Sequence, residues 1–79
     1  MSFARSASKE LESLDDPLVS KIFNKIEALA KEPRPKGCIK LKGCGNIWRL
    51  RVGEYRVIYS IDDRNVTLDI ISVIPILNQ

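Results

Sequence analysis

The sequence contains no histidine, and this absence excludes a whole group of catalytic mechanisms. Ser–His–Asp triads, Cys–His pairs and His-based zinc sites all need an imidazole ring, which this chain cannot supply. A histidine general acid or base is excluded for the same reason. Chemistry in this protein must therefore depend on other side chains.

Cysteine is also scarce, with only Cys38 and Cys44 in 79 residues. Five residues separate them, which is not the CxxC spacing of redox and zinc motifs, and two cysteines alone cannot complete a tetrahedral metal site. A disulfide between them is sterically conceivable but unusual in a chain without a secretion signal. We expect reduced thiols, and we predict neither a metal nor a cofactor.

Long apolar runs are missing as well. No run approaches the roughly 20 residues that a membrane-crossing helix needs, and no basic segment followed by an apolar stretch marks an export signal. We therefore expect a cytoplasmic protein with no membrane partner. Because 79 residues are too few for two separate cores, a single domain over residues 1–79 is predicted.

The positive charge is concentrated in one third of the chain. Residues 31–56 have a balance of +6, whereas the segments before and after it have −1 and −2, giving +3 for the whole chain. Such concentration is typical of proteins that bind phosphate-rich partners, since neutralised phosphates release counterions. The alternative is a solvated surface that keeps a small protein soluble. Four cations of this segment are candidate RNA-binding residues: Arg34, Lys36, Lys40 and Lys42.

Helical periodicity is confined to the residues before Pro33. Apolar residues at intervals of three and four predict one helix over about residues 4–14 and a second that ends before Pro33. Asp16 is predicted to cap the second helix, with Pro17 in the first helical position.

Runs rich in β-forming residues fill the rest of the chain. Strands are predicted over residues 47–52, 55–61 and 66–73, preceded by a short edge strand within residues 37–42. This order of elements predicts an α+β domain, in which an N-terminal helical hairpin packs on a small antiparallel β-sheet.

The dipeptide Gly53-Glu54 predicts a tight hairpin with a fixed register. Glycine in the first of two loop positions suits a type II′ turn, which places Val52 opposite Tyr55. Side chains alternate along each strand, so the aromatic and aliphatic residues of this hairpin share the face that packs on the helices. Trp48, Tyr55 and Tyr59 are therefore predicted to belong to the core.

Three arginines occupy the opposite face of this hairpin. Arg51 is predicted opposite Arg56, and Arg49 opposite Ile58. Like charges opposed in a sheet are destabilising by something like a few tenths to 1 kcal/mol. An anion would offset this repulsion, because guanidinium groups bind phosphate oxygens bidentately. The alternative is a solvated face on which the arginine stems shield apolar neighbours.

A second turn is predicted over residues 62–65, and the chain continues into an apolar end. A four-residue loop there places Leu68 opposite Tyr59 and Asp69 opposite Ile58, diagonal to Arg56. At this position Asp69 would orient or neutralise Arg56. Three apolar residues near the end of the chain either complete the core or dock onto a partner: Ile74, Ile76 and Leu77.

Several segments, taken in order, resemble the RelE/ParE superfamily of bacterial and archaeal toxins. The resemblance lies in residues 40–43, 48–51, 53–59 and 68–73, and residues 6–11 and 29–33 fit the helical hairpin of the superfamily. It therefore covers nearly the whole chain. RelE-type members cleave mRNA in the ribosomal A site, ParE-type members inhibit DNA gyrase, and an antitoxin neutralises both.

The resemblance implies roles for the three arginines of the outer face. Arg49, Arg51 and Arg56 match positions that stabilise charge on the scissile phosphate and help to activate the 2′-hydroxyl, so they are candidate catalytic residues. It also implies a cognate antitoxin and ribosome-bound mRNA as partners. A homodimer, or a heterotetramer with the antitoxin, is the assembly expected from it.

The sequence departs from the superfamily pattern at both ends. Residues 1–3 leave little room for the usual first strand, and residues 74–76 replace a basic segment that contains histidine and precedes a tyrosine. The expected function is a RelE-like mRNA endoribonuclease in which the acid–base half of the site is not visible. The alternatives are a ParE-like gyrase inhibitor, an impaired homologue that only binds antitoxin, and a generic RNA-binding domain.

Overall fold

The computed structural model describes residues 2–41, 43 and 45–76. Two helices, α1 (Arg5–Glu12) and α2 (Asp16–Lys31), pack on a five-stranded sheet. Its strands, in chain order, are β1 (Ser2–Phe3), β2 (Ile39–Lys40), β3 (Ile47–Val52), β4 (Tyr55–Asp62) and β5 (Thr67–Pro75). The spatial order is β1-β5-β4-β3-β2. The predicted α+β architecture is confirmed, and within the described residues no helix is long and apolar enough to cross a membrane.

The first strand is present, although the sequence left little room for it. β1 pairs parallel to β5, with Ser2 opposite Asp69 and Phe3 opposite Ile70, so the sheet is mixed rather than purely antiparallel. The backbone N–H of Ala4 donates to the carbonyl of Ile70 at 2.8 Å and ends this pairing. Two residues are enough to form this strand, because β1 pairs only with the first part of β5, at Asp69 and Ile70.

The second helix begins one residue earlier than predicted. Asp15, not Asp16, is the N-cap residue, and its side chain makes no capping hydrogen bond. Asp16 lies inside the first turn, where a carboxylate interacts favourably with the positive end of the helix dipole. Pro17 follows within the first turn, where its missing N–H breaks no helical hydrogen bond.

The core lies between the helices and one face of the sheet. The α2 stripe of Ile22, Ile26 and Leu29 is buried, as its helical spacing predicts. Tyr59 is fully buried, while Trp48 and Tyr55 are partly buried against the same cluster, so the prediction that all three belong to the core is confirmed.

The predicted register of the β3–β4 hairpin is confirmed at every position. Val52 lies opposite Tyr55, and the pairing continues without a shift back to Ile47, the first residue of β3. Gly53 has φ 61°, and Glu54 is not among the residues with positive φ, which is the combination a type II′ turn requires. This turn fixes which side chains of β3 and β4 share a face.

The predicted register between β4 and β5 is wrong. Leu68 lies opposite Ile61, and Asp69 lies opposite Ser60, far from the predicted position diagonal to Arg56. The Asp62 carboxylate accepts hydrogen bonds from the backbone N–H of Asn65 at 3.2 Å and from its side chain at 2.8 Å. Asp62 can therefore end β4 within the sheet, and the loop moves to residues 63–66.

A β-bulge shifts the register of β5 a second time. Tyr59 pairs with Ile70 but Ile58 pairs with Ser72, so Ile71 is the extra residue. Beyond the bulge, Val73 is buried in the core. Ile74 then lies opposite Arg56, the position that the predicted register gave to Ile71.

The predictions about the two cysteines, Lys42 and the apolar end concern residues of which only some are described. Cys38 is a partly buried free thiol, whereas Cys44, the other half of the predicted pair, lies outside the described residues. Of the apolar end, Ile74 is 36% exposed and Ile76 is partly buried. Lys42 and Leu77 also lie outside the described residues.

Candidate functional site: a cleft lined by three arginines

The β3–β4 hairpin brings three arginines to the face of the sheet that the helices leave uncovered. Arg51 lies directly opposite Arg56, and Arg49 lies two residues earlier on β3. Residues 52 and 55 close the two-residue turn, so the Arg51–Arg56 pair is of the non-hydrogen-bonded kind, whose Cα atoms are about 4.5 Å apart in regular sheets. Of the two pairing types, this one brings opposed side chains closer together.

The three arginines line one cleft. Its volume is about 200 Å³, and Gly37 and Ile39 complete its wall. Arg49 and Arg56 are partly buried, and Arg51 is exposed. The structure therefore brings together, in one cleft, the three residues that were predicted from the sequence as catalytic candidates.

No carboxylate neutralises this cleft among the residues that the structure describes, where Arg34–Asp63 is the sole ion pair. The Arg51 Nε donates a hydrogen bond to the carbonyl of Gly53 at 2.8 Å, which holds its guanidinium beside the turn. The terminal nitrogens of a guanidinium held in this way are free to bind another acceptor. Three cations without a counter-charge make this cleft a candidate site for an anion.

Two of the predicted RNA-binding residues lie on the other face of the sheet. Lys40 pairs with Trp48, so its side chain shares the helix side, and its Nζ lies 6.0 Å from the centroid of the Trp48 ring. The Arg34 guanidinium lies 5.1 Å from the same centroid and binds Asp63 through two hydrogen bonds of 2.8 and 3.1 Å. These two cations are engaged around the indole and are not part of the arginine cleft.

The Arg34–Asp63 pair has a clear electrostatic signature. The hydrogen bond from Arg34 lowers the pKa of Asp63, and the same bond raises the pKa of Arg34. Both side chains are exposed, at 40% and 62%, so solvent screens the pair and its contribution to stability is small. Its position nevertheless ties the segment after α2 to the β4–β5 turn.

Lys36 is adjacent in sequence to the wall of the cleft. It is exposed and directly precedes Gly37, which forms part of the cleft wall. Lys42 lies outside the described residues, so its predicted role has no structural counterpart here.

Among the described residues, the lining of the cleft contains no group suited to proton transfer. It consists of three arginines, a glycine and an isoleucine, and a guanidinium keeps its proton near neutral pH. The phenol of Tyr59 is on the core side, where its hydroxyl donates to the carbonyl of Pro33 at 2.8 Å and burial raises its pKa. These described residues can hold and polarise an anion, but they offer no group that would exchange protons with it.

Sequence reasoning missed Ile39 and Gly37. Ile39 reaches the cleft because β2 pairs it with Arg49, which puts both side chains on the outer face. Six residues separate β2 from β3, so the sequence held no two-residue turn from which this register could be predicted. The alternation of Ile39 with Lys40 was the only local signal, and it does not say which of them faces outward.

Comparisons with known proteins agree with this fold. Residues 1–75 match the family model described as ParE toxin of type II toxin-antitoxin system, parDE. No curated protein matches the chain. The toxin of the archaeal RelE–RelB complex from Pyrococcus horikoshii OT3 superposes with a TM-score of 0.83 at 30% identity, covering 94% of this chain and 90% of that one.

Two further solved structures are similar. The isolated RelE toxin of E. coli has a TM-score of 0.85 at 24% identity, over 99% of this chain and 84% of that one. The RelBE2 toxin–antitoxin complex of Mycobacterium tuberculosis has a TM-score of 0.79 at 25% identity, over 92% and 91%. The fold and the family match together define a toxin of a type II toxin–antitoxin system. The chain belongs to the ParE toxin family, within the RelE/ParE superfamily.

Proposed function

We propose that this toxin is a RelE-like endoribonuclease, which inhibits translation by cleaving mRNA on the ribosome. The observation that carries the proposal is the direct opposition of Arg51 and Arg56, with Arg49 beside them in the same cleft. Opposed arginines are destabilising by something like a few tenths to 1 kcal/mol, so the arrangement makes sense if an anion binds between them. A phosphodiester matches the planar fork of each guanidinium.

The chemistry available to the cleft is electrostatic stabilisation. When a 2′-hydroxyl attacks the adjacent phosphorus, negative charge accumulates on the non-bridging oxygens, and fixed cations stabilise that charge more than the charge of the ground state. Because the described lining residues include no proton-transfer group, the rate loses a factor typically about 10² to 10⁴ unless the ribosome or solvent supplies that function. The proposed activity therefore relies on a proton-transfer group from outside the cleft, and the ribosome is the proposed source.

A cognate antitoxin is proposed as the protein partner. The similar toxins from P. horikoshii and M. tuberculosis were solved as RelE–RelB and RelBE2 complexes. In this chain, residues 31–56 have a balance of +6, which favours an acidic partner that covers the cleft. A homodimer or a toxin–antitoxin heterotetramer remains the proposed assembly, and cytoplasm the proposed compartment.

The proposal is tested by inducing the protein without antitoxin in bacterial cells and mapping new 5′ ends in mRNA. We expect growth arrest and cuts at fixed positions within codons. Arg56→Ala should abolish both. Arg64→Ala is the matched control, because it removes an exposed arginine from the β4–β5 turn, away from the cleft, and it should remain toxic. Full toxicity of Arg56→Ala would contradict the proposal.

Inhibition of DNA gyrase is the second candidate function, and the match to the ParE toxin family model favours it. A plasmid supercoiling assay with micromolar protein separates the two functions. Loss of supercoiling without mRNA cuts would replace the endoribonuclease proposal by the gyrase one. If the soluble, folded protein neither arrests growth nor affects gyrase, antitoxin binding alone would be the remaining function, as expected of an impaired homologue.

A further inference from the structure

We infer that the bound RNA continues from the arginine cleft around the free edge of β3 into a second groove, which holds a nucleotide flanking the bound phosphate. This inference rests on the proposed action on RNA. The second groove lies between α2 and β3 and has a volume of about 200 Å³. Its floor is apolar and its rim is cationic, so it differs in character from the arginine cleft.

The two concavities share a wall. Arg51 lines both of them, and the consecutive residues Lys36 and Gly37 line the groove and the cleft respectively. The two sites are therefore adjacent: the Arg51 side chain lies between them on one side, and the Lys36–Gly37 segment on the other. A chain that occupies the cleft can pass into the groove without leaving the protein surface.

The edge of β3 is open where the two sites meet. Within the described residues, β2 pairs with Trp48 and Arg49, and no strand lies on that side of Leu50 to Val52. In a two-residue hairpin the backbone N–H and C=O of residue 51 point away from the partner strand, towards this edge. These groups are additional hydrogen-bonding partners for a sugar or phosphate that crosses the edge.

The lining of the groove fits a nucleotide. Leu29 and Leu50 line the groove but are almost fully buried, so its accessible apolar surface comes from the exposed Ala28 and the partly buried Pro35, which a base or ribose can cover. Lys25 and Lys36 stand on the rim, where they can reach phosphates of the same strand.

The charge of the groove also favours an anionic ligand. Glu32 is its sole acidic lining residue, against the three cations Lys25, Lys36 and Arg51. In the described part of the chain, no ion pair joins Glu32 to these cations. A polynucleotide has one charge per residue and a base with a flat, weakly polar face between charges, so the continuity of the groove with the arginine cleft favours RNA over an acidic peptide.

The test is direct binding of non-cleavable, 2′-O-methyl RNA, measured by fluorescence anisotropy with a labelled dinucleotide and a labelled hexanucleotide. The double variant Lys25→Gln/Lys36→Gln should weaken hexanucleotide binding about three- to tenfold and leave dinucleotide binding unchanged. The salt slope for the hexanucleotide should fall by about 0.7 for each phosphate that the variant no longer neutralises. Lys9→Gln on α1 is the matched control and should change neither affinity.

The outcomes distinguish this inference from the proposed function. Both lysines are exposed, so the double variant should fold, which circular dichroism and the melting temperature will show. Suppose that Arg56→Ala weakens the binding of both oligonucleotides and the double variant weakens the binding of neither. The inference about the groove is then overturned, while RNA binding by the cleft stands. If Arg56→Ala binds both like the parent, the proposed function fails. Loss of binding to an acidic antitoxin peptide, with RNA binding unchanged, would assign the groove to a protein partner and overturn the inference.

Discussion

The Glu10 carboxylate accepts a hydrogen bond from the backbone N–H of Val73 at 2.9 Å, across 63 residues of sequence. One helical turn earlier, the hydroxyl of Ser6 donates to the carbonyl of Ile71 at 3.0 Å. These two side chains of α1 take the place of a neighbouring strand along the part of β5 that β1 does not cover. They hold the bulge that turns Val73 into the core and places Ile74 opposite Arg56.

Glu10→Ala should destabilise the fold by about 1–3 kcal/mol, because it leaves a partly buried backbone donor without its acceptor. Glu10→Gln keeps a side-chain oxygen that can accept the hydrogen bond, so it should reduce the free energy of unfolding clearly less. Urea unfolding of the three proteins measures the difference, and cross-strand NOEs between residues 56 and 74 report whether the bulge survives. An alanine variant as stable as the parent would show that Glu10 does not hold β5.

Arg51→Thr should stabilise the protein while it weakens anion binding. The substitution removes the repulsion with Arg56 and introduces a residue with high β propensity, for a gain of about 0.3–1 kcal/mol in the free energy of unfolding. The parent should gain more stability from added phosphate than the variant does, because a bound anion relieves the same repulsion. Equal phosphate effects in thermal melts of both proteins would argue against an anion between the two arginines.

Tyr59 gives the stability of the fold a dependence on alkaline pH. Burial of its phenol raises its pKa above the unfolded value of about 10, and the neighbouring Cys38 thiol contributes in the same direction. The folded state then keeps a proton that the unfolded state releases. The contribution is therefore fully present below about pH 10 and is lost as the pH rises towards the folded pKa.

Tyr59→Phe should remove this alkaline dependence. Near neutral pH the variant should lose about 0.5–1.5 kcal/mol, because the hydrogen bond to Pro33 is missing. Above pH 10 its stability should decline less steeply than that of the parent. Urea unfolding at a series of pH values from about 8 to 11 measures both effects, and parallel curves would show that the phenol titrates alike in the folded and unfolded states.

Gly53→Ala should destabilise the hairpin by about 1–2 kcal/mol, because its φ of 61° is in the left-handed region that disfavours a Cβ atom. Gly53→Asn should lose less stability than Gly53→Ala, since asparagine tolerates a positive φ better than alanine does. The nearest atom to a new Cβ would be the Lys21 Nζ at 3.4 Å, a flexible side chain that can move. Thermal unfolding compares the three proteins, and equal losses for alanine and asparagine would indicate a steric cause instead.

The sequence predicted the hairpin that carries the site better than it predicted the rest of the sheet. The glycine of a two-residue turn and the alternation of side chains were sufficient to pair Arg51 with Arg56 and to separate the arginines from Trp48. The same reasoning failed between β4 and β5, because two loops of four residues were compatible with the sequence. The side-chain hydrogen bonds of Asp62 favour the loop that the structure adopts.

The placement of the basic residues outside the hairpin could not be read from charge alone. Arg34 and Lys40 belong to the most basic third of the chain, yet they lie beside Trp48 on the helix side of the sheet. A net charge counted along the chain does not say which face each cation occupies. Only strand pairing and the path of the segment after α2 decide this.

Local sequence was sufficient to specify the helical hairpin, the tight turn at Gly53 and the arginine face, because each depends on residues within a few positions of one another. Long-range packing set the register of β5, the bulge at Ile71 and the arrival of Ile39 in the cleft. These features depend on contacts between distant segments, such as Glu10 with Val73, whose free energy exists only once the helices and the sheet have packed together.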